Sequence, residues 1–270
     1  MENSQSILLK SIPNARELGG YITADGKSVK RGLLLRSAKL NDISDEDKSA
    51  LINNFHVQDI IDFRMKMEIA GFEDAEFDGA RYHWLDVIEM PDLDKYDGEM
   101  PDIKPGDVIQ AVELIEMSGM LRDDMYVGFL EGEKGKKAYG GFLRILLESD
   151  PERAVLWHCT GGKDRTGLAS MLILSALGAD EKTIMSDYLL TNKFNEKRIA
   201  GVKHALSKQG FDETFVNKAA LAFEAVDERF MRTALEHLKN NYGSAVGYIK
   251  DELKIADGEI AVLKEKYLID

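Results

Sequence analysis

His158-Cys159-Thr160-Gly161-Gly162-Lys163-Asp164-Arg165-Thr166-Gly167 contains the only cysteine of the 270-residue chain, six positions before an arginine. Ala154-Val155-Leu156-Trp157 runs into it, and an apolar stretch from Leu168 to Leu177 leaves it. The first has the length of a buried strand and the second that of a buried helix. Between them, small and polar residues can turn successive backbone N–H groups toward one point, with Gly161 and Gly162 free to adopt positive φ. A helix start whose amides aim one way holds an anion without help from side chains. Thr160, Gly161, Gly162 and Lys163 are therefore the candidate cradle. Arg165 closes it, its fork matching two donors to two phosphate oxygens.

Cys159 stands at the foot of this bowl. A free thiol titrates near ~8.5, and a helix N-terminus or neighbouring cations bring it down to ~3.5–7.5. The helix from about Thr166, with Lys163 and Arg165, offers both aids. The implied chemistry is covalent catalysis in two steps: the thiolate attacks phosphorus, a cysteinyl-phosphate forms, and water hydrolyses it. Donors already in place hold the charge as it develops. The Thr166 hydroxyl is placed to steady the thiolate or its departure. His158 is expected to order the loop through ring hydrogen bonds rather than act as a base, because a formed thiolate needs none.

A lone cysteine is more often a small buried hydrophobe, but the ten-residue string with its flanking patterns is far more specific than the Cys-x5-Arg pair. A Walker loop requires G-x4-G-K-[S/T], which fails because Asp164 follows Lys163. A sulfurtransferase cradle lacks the G-K-D-R-T-G ending. The alternative from another class is a phosphate-binding module without turnover; intact Cys159, Arg165 and Thr166 count against it, since binding alone needs no nucleophile.

The string resembles the H-C-x5-R-[S/T] signature of the cysteine-dependent protein tyrosine phosphatases. H-C-x-x-G-K-D-R-T-G is similar, more narrowly, to a bacterial group of them, some of which also act on phosphoinositides and on phosphoserine or phosphothreonine. Asn14-Ala15-Arg16-Glu17-Leu18-Gly19-Gly20 resembles the N-F-R-D-L-G-G segment of that group, Gly32 to Ser37 its R-S element, Ile61-Asp62-Phe63-Arg64 its D-L-R element, and Tyr242-Gly243-Ser244 a mark near its end. The resemblance implies a phosphorylated protein or phospholipid as substrate and no cofactor. Two positions depart from other branches. Ordinary eukaryotic enzymes carry Gly where Asp164 stands, and tensin-like lipid phosphatases carry Lys where Thr160 stands.

The leaving phenolate needs a proton. Many relatives take it from an Asp about thirty residues upstream of the cysteine, where this chain has Asp123, Asp124, Glu131 and Glu133 and no W-P-D string. Trp84-Leu85-Asp86 and Met90-Pro91-Asp92 come near it in letters but lie further upstream. In the resembled group the loop aspartate itself has been suggested, which makes Asp164 the first candidate, with Asp62 and Asp86 behind it. A purely structural Asp164, bridging to an arginine, is nearly as good an expectation. Arg16, Arg36 and Arg64 each serve either a second anion or a structural ion pair. Tyr21, Tyr82, Trp84 and Tyr126 are candidates for a tyrosine slot, although buried aromatics are usually packing.

The chain's length and its 44% apolar content suit one substantial core, expected to form a single domain over 1–270. A net charge of −13 argues against a nucleic-acid partner, whose backbone needs a basic surface. One cysteine excludes an internal disulfide, and five scattered histidines without H-x3-H or HExxH spacing argue against a metal centre. The N-terminus shows no signal-peptide pattern, and the longest apolar run is too short to span a bilayer. The cytoplasm is the expected location, with leaderless secretion left open.

Strands are expected at about 29–37, 58–63 and 82–87, and Ser44-x-x-Asp47 opens a helix to about Phe55. Three of the five prolines, Pro91, Pro101 and Pro105, predict a mobile loop over 89–105. Helices follow at about 107–117, 120–130 and 139–147. Gly178 is a helix stop and Asp180 the next cap. Beyond it the chain reads helical, with Phe223, Val226, Phe230, Ala234 and Leu238 in one stripe. Interleaved strands and helices imply an α/β fold, a central largely parallel sheet flanked by helices, with the loop at the carboxyl end of its strand. In the resembled group extra helices cover the site, and segments 89–135 and 193–240 are the candidates for such a lid.

Overall fold

The computed structural model describes residues 5–89, 108–117 and 121–270, apart from the side chains of 114, 116 and 117. The prolines at 91, 101 and 105, and with them Met90-Pro91-Asp92, lie outside the described residues.

Five strands form the main sheet: β1 (Arg16–Glu17), β3 (Leu34–Ser37), β4 (Asp59–Asp62), β5 (Arg81–Trp84) and β6 (Val155–His158), in the order β1-β3-β6-β4-β5. β3, β6, β4 and β5 run parallel, and β1 is antiparallel at one edge. A second, two-stranded sheet pairs β2 (Ser28–Val29) with β7 (Leu268–Ile269). The strand expected over 29–37 is thus two pieces. Gly32 breaks it, at φ 75° with its N–H held by the Glu17 carboxylate at 2.6 Å.

Because both faces of a parallel sheet are covered, its inner strands β3, β4 and β6 are buried throughout and alternate residues serve opposite cores. Leu34, Ile61, Val155 and Trp157 join the larger core, while Leu35, Ile60 and Leu156 join the smaller one. On the smaller side lie Ile7, Ile12 and α1 (Asp45–Asn53), whose Ser44 cap accepts from Asp47 N–H as the sequence predicts. The larger side is built from α5 (Glu133–Glu148), α6 (Arg165–Leu177), α7 (Glu181–Phe194), α10 (Glu228–Tyr242), α11 (Ala245–Asp251) and α12 (Asp257–Tyr267). Gly178 ends α6 at φ 94°, and Asp180 caps α7 through Thr183 N–H at 2.8 Å. A short α2 (Lys66–Ile69) follows β4, and α4 (Met125–Glu131) precedes α5.

α3 (Val108–Met117), α8 (Glu196–Lys208) and α9 (Glu213–Phe223) share a separate apolar cluster around Val112, Leu206, Val216 and Ala219. The predicted single stripe from Phe223 to Leu238 is divided. Asp227 accepts from Arg229 N–H and opens a new helix, so Phe230, Ala234 and Leu238 enter the main core while Phe223 stays with α9. Among the described residues no helix is long and apolar enough to cross a membrane.

Trp157 ties β6 to α6. It is fully buried, meets Phe142 edge-on at 5.2 Å, and donates from Nε1 to Thr166 O at 3.3 Å and Ser170 Oγ at 3.2 Å. Trp157→Ala is expected to cost about 3–5 kcal/mol, read as a lower urea midpoint at unchanged m.

Candidate active site

The loop between β6 and α6 has a one-sided hydrogen-bond pattern. Its carbonyls all face the scaffold. Thr160 O accepts from Lys39 N–H at 3.2 Å, Gly161 O from Asn14 Nδ2 at 3.3 Å, and Gly162 O from Asn14 Nδ2 and an Arg36 Nη, each at 2.8 Å. Lys163 O and Asp164 O take the first amides of α6, and Arg165 O takes the Tyr139 hydroxyl at 3.3 Å. Among the described residues, none accepts a hydrogen bond from the backbone N–H of residues 160–166. With the carbonyls held outward, seven amides are left for an anion. Gly162 makes this turn at φ 64°, where a Cβ would run into the Ser37 carbonyl. Gly161 needs no positive φ, so only one of the two glycines has the predicted role.

Behind the loop is a buried charge cluster. Arg16 donates to Asp187 Oδ1 at 3.1 Å and to the Asn14 side chain; Arg36 donates to Asp187 Oδ2 at 2.6 Å. Tyr21 adds its hydroxyl to Asp187 at 3.2 Å. Burial would raise the Asp187 pKa, but the two guanidiniums lower it. Two cations and one anion leave one positive charge in the core. Burial and the nearby Arg16 accordingly lower the Arg36 pKa to about 10, while Asp187 and the charge of Cys159 oppose them. A thiolate or phosphate in the bowl neutralises this excess. Arg16 and Arg36 are thus loop braces, whereas Arg64 is held in a structural ion pair. It clasps Asp62 through Nε and Nη2 (2.7–3.0 Å), lies 3.0 Å from Asp74, and donates to Phe72 O at 2.8 Å.

His158 is fully buried, with Nε2 2.8 Å from Asp74 Oδ2 and Nδ1 3.2 Å from Cys159 O. Burial works against the imidazolium, but Asp74 outweighs it and the His158 pKa is raised. Asp62, Asp74 and His158 are the one tight group of potential metal ligands among the described residues, and Arg64 already matches their charge. Asp62 also accepts from Tyr82 at 2.7 Å, and Asp86 pairs with Lys134 at 2.7 Å.

A cleft of about 210 Å³ opens over the loop. Cys159, 1% exposed, lines it together with Thr160, Gly161, Lys163, Asp164 and Arg165. Its outer wall comes from both predicted lid segments: Ile115, Leu121, Met125 and Phe129 from one, Leu221, Ala222, Phe223 and Phe230 from the other. Tyr21, Tyr82, Trp84 and Tyr126 do not line it; Tyr82 and Trp84 lie half-exposed on β5. Lys163 donates to Leu221 O at 2.7 Å and Ala225 O at 3.1 Å, anchoring the end of α9. Thr166 Oγ1 is buried without a hydrogen-bond partner among the described residues. Asp164 accepts the Tyr126 hydroxyl at 2.7 Å and lies 3.5 Å from Lys163 Nζ.

One acidic residue here is missed by sequence reasoning. Glu68, on α2, receives Arg165 in a fork of 2.6 and 2.8 Å and the Thr160 hydroxyl at 2.5 Å. Arg165 also donates to Phe63 O at 3.2 Å. Burial would raise the Glu68 pKa, but Arg165, Thr160 and Met65 N–H hold it down at about 2. Its one sequence signal is position, just past the carboxyl end of β4, where ligands gather in such sheets. Asp187 and Asn14 left weaker signals still.

A family profile described as the tyrosine phosphatase family matches residues 7–269. The chain is 27% identical to a protein of Cupriavidus necator named provisionally as a tyrosine-protein phosphatase, over 99% of this chain and 90% of that one. It is 25% identical to the triple specificity protein phosphatase PtpB of Mycobacterium tuberculosis, over 88% and 90%, and 26% identical to a tyrosine-protein phosphatase of Nostoc commune, over 88% and 74%. With this loop, this sheet and a match over nearly its whole length, the chain belongs to the tyrosine phosphatase family. Its activity is that of a protein tyrosine phosphatase, a phosphomonoester hydrolase.

Two outcomes follow from the buried charges. Asp187→Asn strips the partner from two buried guanidiniums and is expected to cost about 3–5 kcal/mol, measured by chemical unfolding at neutral pH. Glu68 has a folded-state pKa below its unfolded one, so its stabilisation is complete above ~4.3 and fades as pH falls toward about 2. Glu68→Gln should therefore flatten the stability-versus-pH curve across that interval; an unchanged acid slope contradicts the depressed value.

Proposed function

We propose that the chain hydrolyses phosphotyrosine through a cysteinyl-phosphate, with Cys159 as nucleophile and Arg165 and the amides of 160–166 as the phosphate cradle. The observation that supports this is the loop's polarity: every carbonyl from Thr160 to Thr166 is bonded outward, no described residue accepts from the amides of 160–166, and Cys159 lines the cleft beside them. The thiolate attacks phosphorus, a P–S bond forms, and the P–O bond to the leaving phenolate breaks. Water then attacks phosphorus, the P–S bond breaks, and phosphate leaves with the thiolate restored. Thr166, whose hydroxyl has no other partner among the described residues, donates to sulfur as it departs.

Asp164 supplies the proton in the first step and takes one from water in the second. The described carboxylates lining the cleft are Glu68 and Asp164. Glu68, held down at about 2, has no proton to give at neutral pH. That leaves Asp164. The helices α3, α8 and α9 act as the lid, held to the loop by Lys163. An apolar outer wall suits aryl phosphates, and the reading extends to phosphoserine, phosphothreonine and phosphoinositides, in line with the relative named for triple specificity.

Rapid acid quench of a single turnover should trap phosphate on Cys159 in the native enzyme and none in Cys159→Ser, which still binds phosphopeptide. Binding without any trapped phosphoenzyme or turnover would leave only a capture module. Asp164→Asn should slow phenyl phosphate by about 10²-fold or more and 4-nitrophenyl phosphate far less, because the better leaving group needs little proton. A panel of phosphopeptides and phosphoinositides beside Cys159→Ser ranks the substrate classes.

A further inference from the structure

Asp164 sits at the N-terminal end of α6 but does not cap it; its side chain accepts nothing from the helix's own amides. It is held from the side. The Tyr126 hydroxyl on α4 donates to Oδ1 at 2.7 Å, and the Tyr188 hydroxyl on α7 lies 2.9 Å from that of Tyr126 and 3.2 Å from Asp227 O. Both tyrosines are buried, at 0% and 1% exposure, and their rings meet edge-on at 5.9 Å. One core phenol therefore meets one oxygen of a loop carboxyl, and a second phenol from another helix backs it.

That oxygen is committed. While Oδ1 accepts the Tyr126 proton, a second proton on the carboxyl belongs on Oδ2, which lies 3.5 Å from Lys163 Nζ. We infer that Tyr126, backed by Tyr188, is a positioning residue that holds the Asp164 carboxyl in one orientation and assigns its transferable proton to Oδ2. The inference rests on the reading of Asp164 as general acid. As the proton leaves Oδ2 and charge grows on the carboxylate, the bond from Tyr126 strengthens, while Tyr188, whose hydroxyl donates to Asp227 O, meets the Tyr126 ring edge-on and holds it in place. The Tyr126 bond thus stabilises the transition state more than the neutral ground state.

Burial, then the charge of Asp164, raises both phenols well above 10, so they remain donors throughout the working range. The other charged or titratable groups facing Asp164 are Lys163 and Arg165 in its own loop, Tyr139 on α5, and Cys159 at the cleft floor. None of them donates to Oδ1 among the described residues.

The test compares kcat/KM for phenyl phosphate and 4-nitrophenyl phosphate, each across pH, in the native enzyme and in Tyr126→Phe, Tyr188→Phe and Asp164→Asn. Tyr126→Phe removes a donor to the deprotonated carboxyl. It should slow phenyl phosphate about tenfold with little effect on 4-nitrophenyl phosphate, and move the basic limb of the profile up by about one pH unit. Tyr188→Phe should do the same more weakly, and serves alone if Tyr126→Phe does not fold. Equal slowing of both substrates, or a limb that stays in place or moves down, overturns the inference. If Asp164→Asn slows the two substrates equally, the acid assignment itself has failed. If Asp164→Asn shows the leaving-group dependence and Tyr126→Phe does not, only the positioning role falls.

Discussion

Asp187, between Arg16 and Arg36, is the contact on which the rest of the site depends. Arg36 reaches past it to pull the Gly162 carbonyl out of the bowl, and Arg16 fixes Asn14, which pulls on the same oxygen. Without these two pulls the peptide after Gly162 is free to rotate and present an oxygen to the phosphate instead of an amide. The braces come from three distant parts of the chain: the N-terminal segment, β3 and α7. Burying two guanidiniums is unfavourable unless they are paired, so the outward turn of the loop's carbonyls and the stability of its support are parts of one charge balance.

The same balance explains the two ways Arg165 is used. Glu68 holds its fork in place beside the cradle, and the charge of Cys159 adds to the hold. A long, flexible side chain is thereby given one orientation before any phosphate arrives, which lowers the entropic cost of binding. Lys163 points the other way, toward the carbonyls that end α9, so the signature loop is also the anchor of the helices above it.

Much of this was legible in the chain. The strand–loop–helix, the caps at Ser44 and Asp180 and the stop at Gly178 all follow from local patterns, because each depends on residues within a few positions of one another. The break at Gly32 and the divided stripe at 224–227 were not legible. There a turn won over a periodicity that looked continuous, and only the long-range partners of Glu17 and the cap at Asp227 decided it. Of the two alternatives for the aromatic candidates the structure favours packing for Tyr126: it lies beneath the loop, and Phe129 one turn away faces the cleft.

The sequence by itself determined the chemistry. A single cysteine, a guanidinium six residues on and a glycine that alone fits between them point to the proposed phosphate bowl, since candidate nucleophile, charge and backbone shape all lie within ten consecutive residues. Only the tertiary structure decided what holds that bowl open. Asp187, Glu68, Asn14 and Tyr126 are separated from the loop by tens of residues or more, and no local rule links a carboxylate or a phenol to a backbone turn it meets only after the sheet has closed. Burial then makes each of those meetings count, because in the core a charge or hydroxyl without its partner has no water to replace it.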